Sequence, residues 1–278
     1  MIKPVLQGHD FITDVKKASR EADKLHLWWL GQSGYLIGWQ GQHLLLDPYL
    51  SDSLTTKYDN TDTPHIRMTE KVIEPQQLNF INVVTSSHNH TDHLDGETIR
   101  PLLAANPELI VLVPEANREF AAQRLQVAPR RLTGITCDRS RNIGKFTFHA
   151  VPSAHEKVET DPHGHHKYIG LVVEAGPWTV YHAGDTVRYQ GMAASLRKWK
   201  IDIALLPING RDPARGVAGN LSPGEAAVLG RDMQAGLVIP CHYEMFEFNT
   251  VDALEFAKEA QKAGLPYHIL RCGERWSG

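Results

Sequence analysis

The sequence reads as an α/β chain with two strand-rich halves and covering helices, which would make a four-layered arrangement although periodicity alone does not fix that topology. Two observations lead there. Short apolar runs bounded by Gly, Pro or Asp recur in both halves, at 25–46 and 80–113 and again at 135–151 and 168–206. Stretches of helical length and period lie between and after them, around 96–105, 115–125, 223–233 and 252–263. The composition never shifts abruptly along the 278 residues, which favours one domain over 1–278 rather than two.

Taken in order, residues 1–24 mix Phe11, Ile12 and Val15 with many charges, the pattern of a short amphipathic helix or cover segment packed on the body. Leu25 to Leu30 is apolar and aromatic, Gly31 to Gly34 supplies a turn, and Tyr35 to Trp39 with Leu44 to Leu46 continues a meander of strands. Pro48 does not fit inside a central strand, so Asp47 is expected at a strand exit where its carboxylate can turn inward. Residues 51–77 are polar and weakly periodic, with Pro64 and Pro75, and are expected to form a long excursion containing at most a short helix. Loops of that length often carry function.

Phe80 to Thr85 is β-rich, and after a histidine cluster the helix at 96–105, strand at 109–113 and helix at 115–125 give βαβα traffic. Ile135, Ile143, Phe146, Phe148 and Val151 mark short alternating strands, and His155 to His166 forms a polar loop. Tyr168 to Val173, Thr179 to His182 and Ile201 to Leu206 are further strands. Pro223 opens an Ala-rich helix ending near Met233, Leu237 to Ile239 is a strand, and Asp252 to Ala263 is an amphipathic helix.

Composition narrows the function classes. With 42% hydrophobic and 22% charged residues the chain is neither disordered nor fibrous. Lys+Arg 29 against Asp+Glu 32 leaves -3 at pH 7, so no global field gathers it onto nucleic acid or an anionic membrane. Cys137, Cys241 and Cys272 are far apart and odd in number, which excludes a disulfide scaffold or a CxxC knuckle and suggests a reducing compartment. The start has no apolar core of signal-peptide length, and no stretch approaches 18 uncharged apolar residues, so a cytoplasmic protein without a membrane partner is expected.

Fifteen histidines are present, and three fall within the six positions from His88 to His93. The segment from Ser87 to Asp95 places three imidazoles and two carboxylates directly after a strand, and strand exits are where α/β proteins put chemistry. His88 and His90 share a side by their spacing of two, whereas Asp92 and His93 point differently and could serve a second centre. Neutral imidazoles and carboxylates are ligands that Zn, Mn and Fe accept, yet one loop leaves each metal short of donors. His155, Asp185 and His242 each follow an apolar run and a small or turn-forming residue, so all could converge at one sheet edge. The competing readings are a solvated loop for the cluster, ordinary loop residues for the later three, and an Asx turn for Asp47. His163, His165 and His166 form a polar run to which no role is assigned.

The pattern HxHxDH is met in full by His88-Asn89-His90-Thr91-Asp92-His93, and on it the chain resembles the metallo-β-lactamase-fold hydrolases. Over residues 25–272 it looks most similar to the branch containing the ascorbate-6-phosphate lactonase and related metal-dependent hydrolases. The segments that carry this are WLGQSGYLI from Trp29, YHAGDT from Tyr181, LLPINGRD from Leu205 and IPCHYEMF from Ile239. The resemblance implies an αββα sandwich, two mixed β-sheets with helices on the outer faces, and a dinuclear centre in a groove at one sheet edge. It implies that His88, His90 and His155 hold one metal, that Asp92, His93 and His242 hold the other, and that Asp185 bridges them. Asp47 would orient a ligand by hydrogen bonding, and Asn209, Arg211 and Asn220 would line the substrate side. His90 stands where the flavodiiron branch has Glu, and Asp185 where the best-known zinc β-lactamases have Cys, which argues against redox iron and antibiotic hydrolysis. No long basic arm like that of the tRNA-processing members is visible, and the chain is shorter than the ascorbate-phosphate lactonases.

Two divalent ions balanced by Asp92, Asp185 and a hydroxide would leave about one positive charge, which favours an anionic or developing-anion substrate. The expected reaction is hydrolysis of a small polar, anionic ester, a lactone ahead of a phosphodiester, by a metal-bridging hydroxide made available near neutral pH. Asp92 would both ligate and accept a hydrogen bond from that hydroxide. Arg211 offers a fork suited to carboxylate or phosphate unless Asp212 or Asp232 takes it, and Tyr243 beside His242 could donate to a substrate oxygen. The expected cofactors are two divalent ions, Zn or Mn, with Fe less favoured; the lactonase resemblance favours Mn. The alternatives are a phosphodiesterase and a noncatalytic, metal-stabilised metabolite-binding domain. Near-neutral charge disfavours a nucleic-acid partner, and a homo-oligomer is compatible with the sequence.

Overall fold

The computed structural model describes residues 1–212 and 219–278. In chain order its elements begin with α1 (Gly8–Ala18), β1 (His26–Gly31), β2 (Gly34–Trp39), β3 (Gln42–Leu46), α2 (Ser53–Lys57), β4 (Val83–Thr85), α3 (Gly96–Ala105) and β5 (Ile110–Pro114). Then come α4 (Arg118–Leu125), β6 (Leu132–Ile135), β7 (Ser140–Ile143), β8 (Phe146–Pro152), β9 (Ile169–Ala175), β10 (Trp178–His182) and α5 (Met192–Leu196). The chain finishes with β11 (Ile203–Pro207), α6 (Pro223–Asp232), β12 (Leu237–Cys241), α7 (Ala253–Ala263) and β13 (Arg275–Ser277).

The strands form two mixed sheets, in the orders β13-β1-β2-β3-β4-β5-β6 and β12-β11-β10-β9-β8-β7. The first is antiparallel from β13 to β3 and parallel from β3 to β6; the second is parallel from β12 to β10 and antiparallel from β10 to β7. These are the αββα layers expected. Strands β1 and β2 are buried along their whole length, Trp28, Trp29 and Tyr35 included, because sheet or helix covers both faces. Helix α1 buries Phe11, Val15 and Ala18, the i, i+4, i+7 stripe of a cover segment. On the outside, α4 packs on β5 and β6, and α6 packs on β11 and β12 with α5 and α7 beside it.

Local chemistry sets the ends of the helices. Asp95 caps α3 by accepting from Glu97 N. Ser222 and Glu225 form a reciprocal capping box on α6 with Pro223 in the first turn. Asp252 caps α7, which stops at Gly264 in the left-handed conformation. Three details depart from expectation. β4 starts at Val83 rather than Phe80, because the segment before it is held by side chains: Ile81 N donates to Asn106 Oδ1, and Asn82 Oδ1 accepts from His43 N. The five-residue α5 and the three-residue β13 are unannounced by periodicity, being too short to show one. Among the described residues, no helix is long and apolar enough to cross a membrane.

The parallel segments position everything that follows. Strands β3 to β6 share one direction, as do β8, β10, β11 and β12, so within each sheet their carboxyl ends lie along one edge. The two edges are joined closely. Ile169 N donates to Ser87 O at 3.1 Å, and His182 Nε2 to Ser33 O at 2.9 Å. Gly184 sits in this joint with φ +59°, and a Cβ there would lie 2.7 Å from Ser87 Cβ and Oγ and 3.0 Å from Ile169 O. Gly184→Ala should therefore cost about 2 kcal/mol or more, from left-handed strain plus overlap. The readout is a lower urea midpoint at unchanged slope; an unshifted midpoint would mean the joint is not tight.

Candidate metal centre

Each candidate ligand stands just beyond a strand. Asp47 follows β3, the His88 loop follows β4, His155 follows β8, Asp185 follows β10 and His242 follows β12. Asp47 and His242 both have positive φ, 39° and 67°, so the chain turns sharply at each exit. A non-glycine residue in that region carries roughly 1–3 kcal/mol of strain and persists only where its surroundings hold it. For His242 the hold includes its own N–H, which donates to Gln32 O at 3.0 Å.

The exits meet in two neighbouring groups. Ligand atoms of His88, His90 and His155 lie within 4.8 Å of one another, as do those of Asp92, His93, Asp185 and His242. Asp185 joins the groups: Oδ1 is 3.2 Å from His93 Nε2 and 3.4 Å from His242 Nε2, while Oδ2 is 3.9 Å from His155 Nε2. Asp92 Oδ2 lies 3.4 Å from His93 Nε2 and 3.5 Å from His242 Nε2. The His88 and His93 rings are 4.1 Å apart, so the groups share a wall.

A second layer turns these rings inward. Asp47 Oδ2 accepts from His93 Nδ1 at 2.7 Å, and its carboxylate also takes the Ser87 N–H at 2.9 Å and the Ser87 hydroxyl. Gly219 O accepts from His155 Nδ1 at 3.1 Å. In both cases the Nδ1 proton is engaged outside the site and Nε2 is left to the centre, the usual way a ligating imidazole is oriented. His88 Nε2, His93 Nε2 and Asp185 Oδ1 are buried without a hydrogen-bond partner among the described residues. Leaving such groups unsatisfied is costly, whereas a divalent cation accepts this nitrogen and oxygen set directly. The residues fit a metal.

Their electrostatics agree. Burial, with His93 beside it, holds His88 well below its ordinary value, in the neutral form that binds metal. Burial is the largest single influence on Asp92 and Asp185 and would raise them, but His93 and His242 together outweigh it and hold both well below the usual carboxylate range. Burial would likewise depress His93 and His242; Asp185 and Asp92 overcome it, lifting His93 well above its ordinary value and His242 to about 9. Without a cation, protons on these two imidazoles balance the two carboxylates.

A cavity of about 370 Å³ opens over the cluster, with His90, Asp92, His155, Asp185 and His242 in its lining. Asn209 and Asn220 also line it. Asn220 Oδ1 accepts from Thr186 N at 2.8 Å and steadies the Asp185 turn, and Asn209 donates to Asn249 at 2.9 Å. Two expected substrate contacts need correction. The Arg211 fork is closed on Glu225, at 2.6 and 3.0 Å, because the capping box fixes that carboxylate nearby; Asp232 pairs with Arg188 and Arg231 instead. Tyr243 lies in the core, its ring 4.4 Å from Trp29 and its hydroxyl donating to Leu270 O, since the turn at His242 sends adjacent side chains apart.

Several residues were missed by the sequence reading. Gln32 Nε2 donates to Asp92 Oδ2 at 2.8 Å and lies 3.0 Å from His242 Nε2, although its segment reads as a plain turn. Tyr168 packs its ring 5.2 Å from His88 and 5.5 Å from His155. Tyr58 and His65 come from the 51–77 excursion, whose length was the available signal. His163, His165 and His166 line a separate hollow with Glu115 and Cys137.

Residues 43–243 match the family described as the beta-lactamase superfamily domain. A UPF0173 metal-dependent hydrolase of Sulfurisphaera tokodaii is 24% identical over 251 residues, covering 88% of this chain and 96% of the relative. Among solved structures, isothiocyanate hydrolase from Delia radicum gut bacteria matches with a TM-score of 0.70 at 17% identity, over 90% of this chain and 98% of its own. A metallo hydrolase from the archaeon Ignicoccus hospitalis matches with a TM-score of 0.67 at 18% identity, over 92% and 98%. At such identities the solved structures attest the fold alone.

A cation entering the centre has to displace the protons held on His93 and His242. Affinity of the metal-free protein for Zn or Mn should therefore rise as pH climbs from 6.5 towards 9, the span over which His242 is held protonated beyond its ordinary value. Calorimetric titration across that range checks it; a flat affinity would separate metal uptake from these imidazoles.

Proposed function

The chain belongs to the beta-lactamase superfamily and is a metal-dependent hydrolase of it, and from that premise we propose that it hydrolyses a small ester, lactones ahead of phosphodiesters. In this reading His88, His90 and His155 would hold one divalent ion and Asp92, His93 and His242 a second, with Asp185 shared between the two groups. The observation that carries it is the division of Asp185, one oxygen turned to His93 and His242 and the other to His155. When bound, such a pair supplies Lewis acidity and lowers the pKa of water from about 15.7 to about 7.

The chain's own residues do the positioning. Asp47 presents His93 through Nδ1, and the Gln32 amide anchors Asp92 Oδ2, steadying a carboxylate that can accept a hydrogen bond from the attacking water. The cavity has the size of a small-molecule site. Lys57 and Arg124 are its cationic side chains among the described residues, and Arg124 already donates to the carbonyls of Asn89 and Leu94, at 2.5 and 3.3 Å. That sparse cationic provision supports a reacting group without charge of its own, the carbonyl of an ester or lactone, over the anionic phosphate of a phosphodiester.

The deciding assay strips the protein of metal, verifies removal by elemental analysis, reloads Zn or Mn separately, and presents matched lactones and phosphodiesters. Hydrolysis should vanish with the metal, return with it, and favour the lactones. Undiminished turnover by folded, verified metal-free protein would overturn the reading, and turnover of phosphodiesters alone would replace the substrate class. Saturable lactone binding without turnover in either metal form would point to a binding domain instead. Asp185→Asn should lower metal occupancy at both positions and reduce kcat/KM about 100-fold or more, since a neutral amide does not supply the same bridge. Equal occupancy and turnover in that variant would remove the bridge.

A further inference from the structure

We infer that the substrate carries a flat apolar group, an aryl ring or its equivalent, that seats against Tyr58, His65 and Phe248 while its ester faces the metal ligands. This deepens the hydrolase reading and rests on it. Among the described residues the buried apolar side chains fall into two clusters. Beside the main core there is a small one of Tyr49, Leu54, Met245 and Phe246, with Tyr58 and Phe248 packed against it and only partly buried. Leu54, Tyr58, His65, Phe246 and Phe248 all line the cavity that holds Asp92 and His242. The small cluster is thus one wall of the reaction chamber.

The wall is aromatic and ordered. Tyr58 and His65 stack with centroids 4.1 Å apart and planes 15° from parallel, and His65 lies 4.4 Å from Phe248 and 5.1 Å from Phe246. His65 Nδ1 lies 3.0 Å from Thr63 O, and because a carbonyl only accepts, that nitrogen carries the proton. Burial also keeps His65 below its ordinary value, so it presents an uncharged ring.

Two distant segments make this wall, and backbone bonds fasten them. Met68 N donates to Met245 O at 2.8 Å, Glu247 N to Ile66 O at 3.1 Å, and Arg67 pairs with Phe246 in an isolated β-bridge. The Arg67 guanidinium sits 5.2 Å from the Tyr49 ring centre, donates to Asp52 and to Thr69 O, and locks the seam. A pre-formed wall with partly uncovered rings is a binding surface for something flat, because an aryl ring makes edge and offset contacts with several rings at once.

The test separates the ring from the chemistry. Phenylphosphonate and methylphosphonate offer the same anionic head to the metal-loaded protein and differ in the ring. Calorimetry should find the phenyl compound about 10-fold or more tighter, and Phe248→Ala should narrow the preference to about 2-fold. Phe248→Leu, which keeps most of the packing volume, should give an intermediate preference, so a misfolded alanine variant does not leave the matter open. Equal affinities in the parent protein would overturn the aryl seat while leaving the hydrolase reading standing. Failure of both phosphonates to bind, together with no turnover of any ester, would bring down the hydrolase reading and the seat with it.

Discussion

Asp185 lies buried between two groups of imidazoles, and much of the molecule is arranged to make that position tolerable. A buried carboxylate is stable only when paired or coordinated. Here the pairing comes from both sheets at once: His93 from the first, His155 and His242 from the second. For the three to reach one carboxylate, the sheet edges must approach closely, and Gly184 beside Asp185 meets Ser87 at a distance no side chain would allow. Thr186 on its other side is tied to Asn220 and to Ala154 N. The carboxylate is thus fixed by its neighbours before any ion arrives.

That constraint explains why strain gathers at the same edge. Asp47 and His242 both adopt left-handed backbone conformations, and both have side chains held by buried partners from another segment. A strand that simply ran on would point its next side chain along the sheet; the sharp turn aims it across the edge. The strain is local, and its compensation is spread over Ser87, Gln32 and the sheet joint. Because the donors come from both halves of the chain, binding of a cation would cross-link the halves, so metal occupancy and folding stability are coupled.

The parts of this arrangement legible in the sequence are those set by local order. The HxHxDH run is contiguous, and His155, Asp185 and His242 each announce themselves by an apolar run and a turn residue; the structure brings all of them together. Most strands and helices are read within a few residues because their caps and turns are local too, as with Ser222 and Glu225 at α6. What depends on side-chain direction is not legible. Adjacency to His242 suggested Tyr243 as a substrate contact, yet the positive φ at His242 sends it into the core. Arg211 was lost to Glu225, whose orientation is set by a helix cap rather than by spacing. Gln32 gives no sign of itself, since a turn glutamine becomes meaningful only when Asp92 and His242 arrive beside it.

The cavity joins two kinds of surface that a small polar substrate would not need together. One side is charged and hydrogen-bonding, and its donors converge on a point; the other is a set of rings, with Lys57 Nζ 4.9 Å from the Tyr58 ring centre. Contacts with a remote, non-reacting part of a substrate assist catalysis when they hold the reacting bond in place, so that the site's electrostatics act on a fixed geometry. The aromatic wall is built to do that. It is stiffened by backbone bonds between residues 66–68 and 245–247 rather than left as a loose loop. The tethering of the 51–77 excursion beside the metal ligands makes it part of the site.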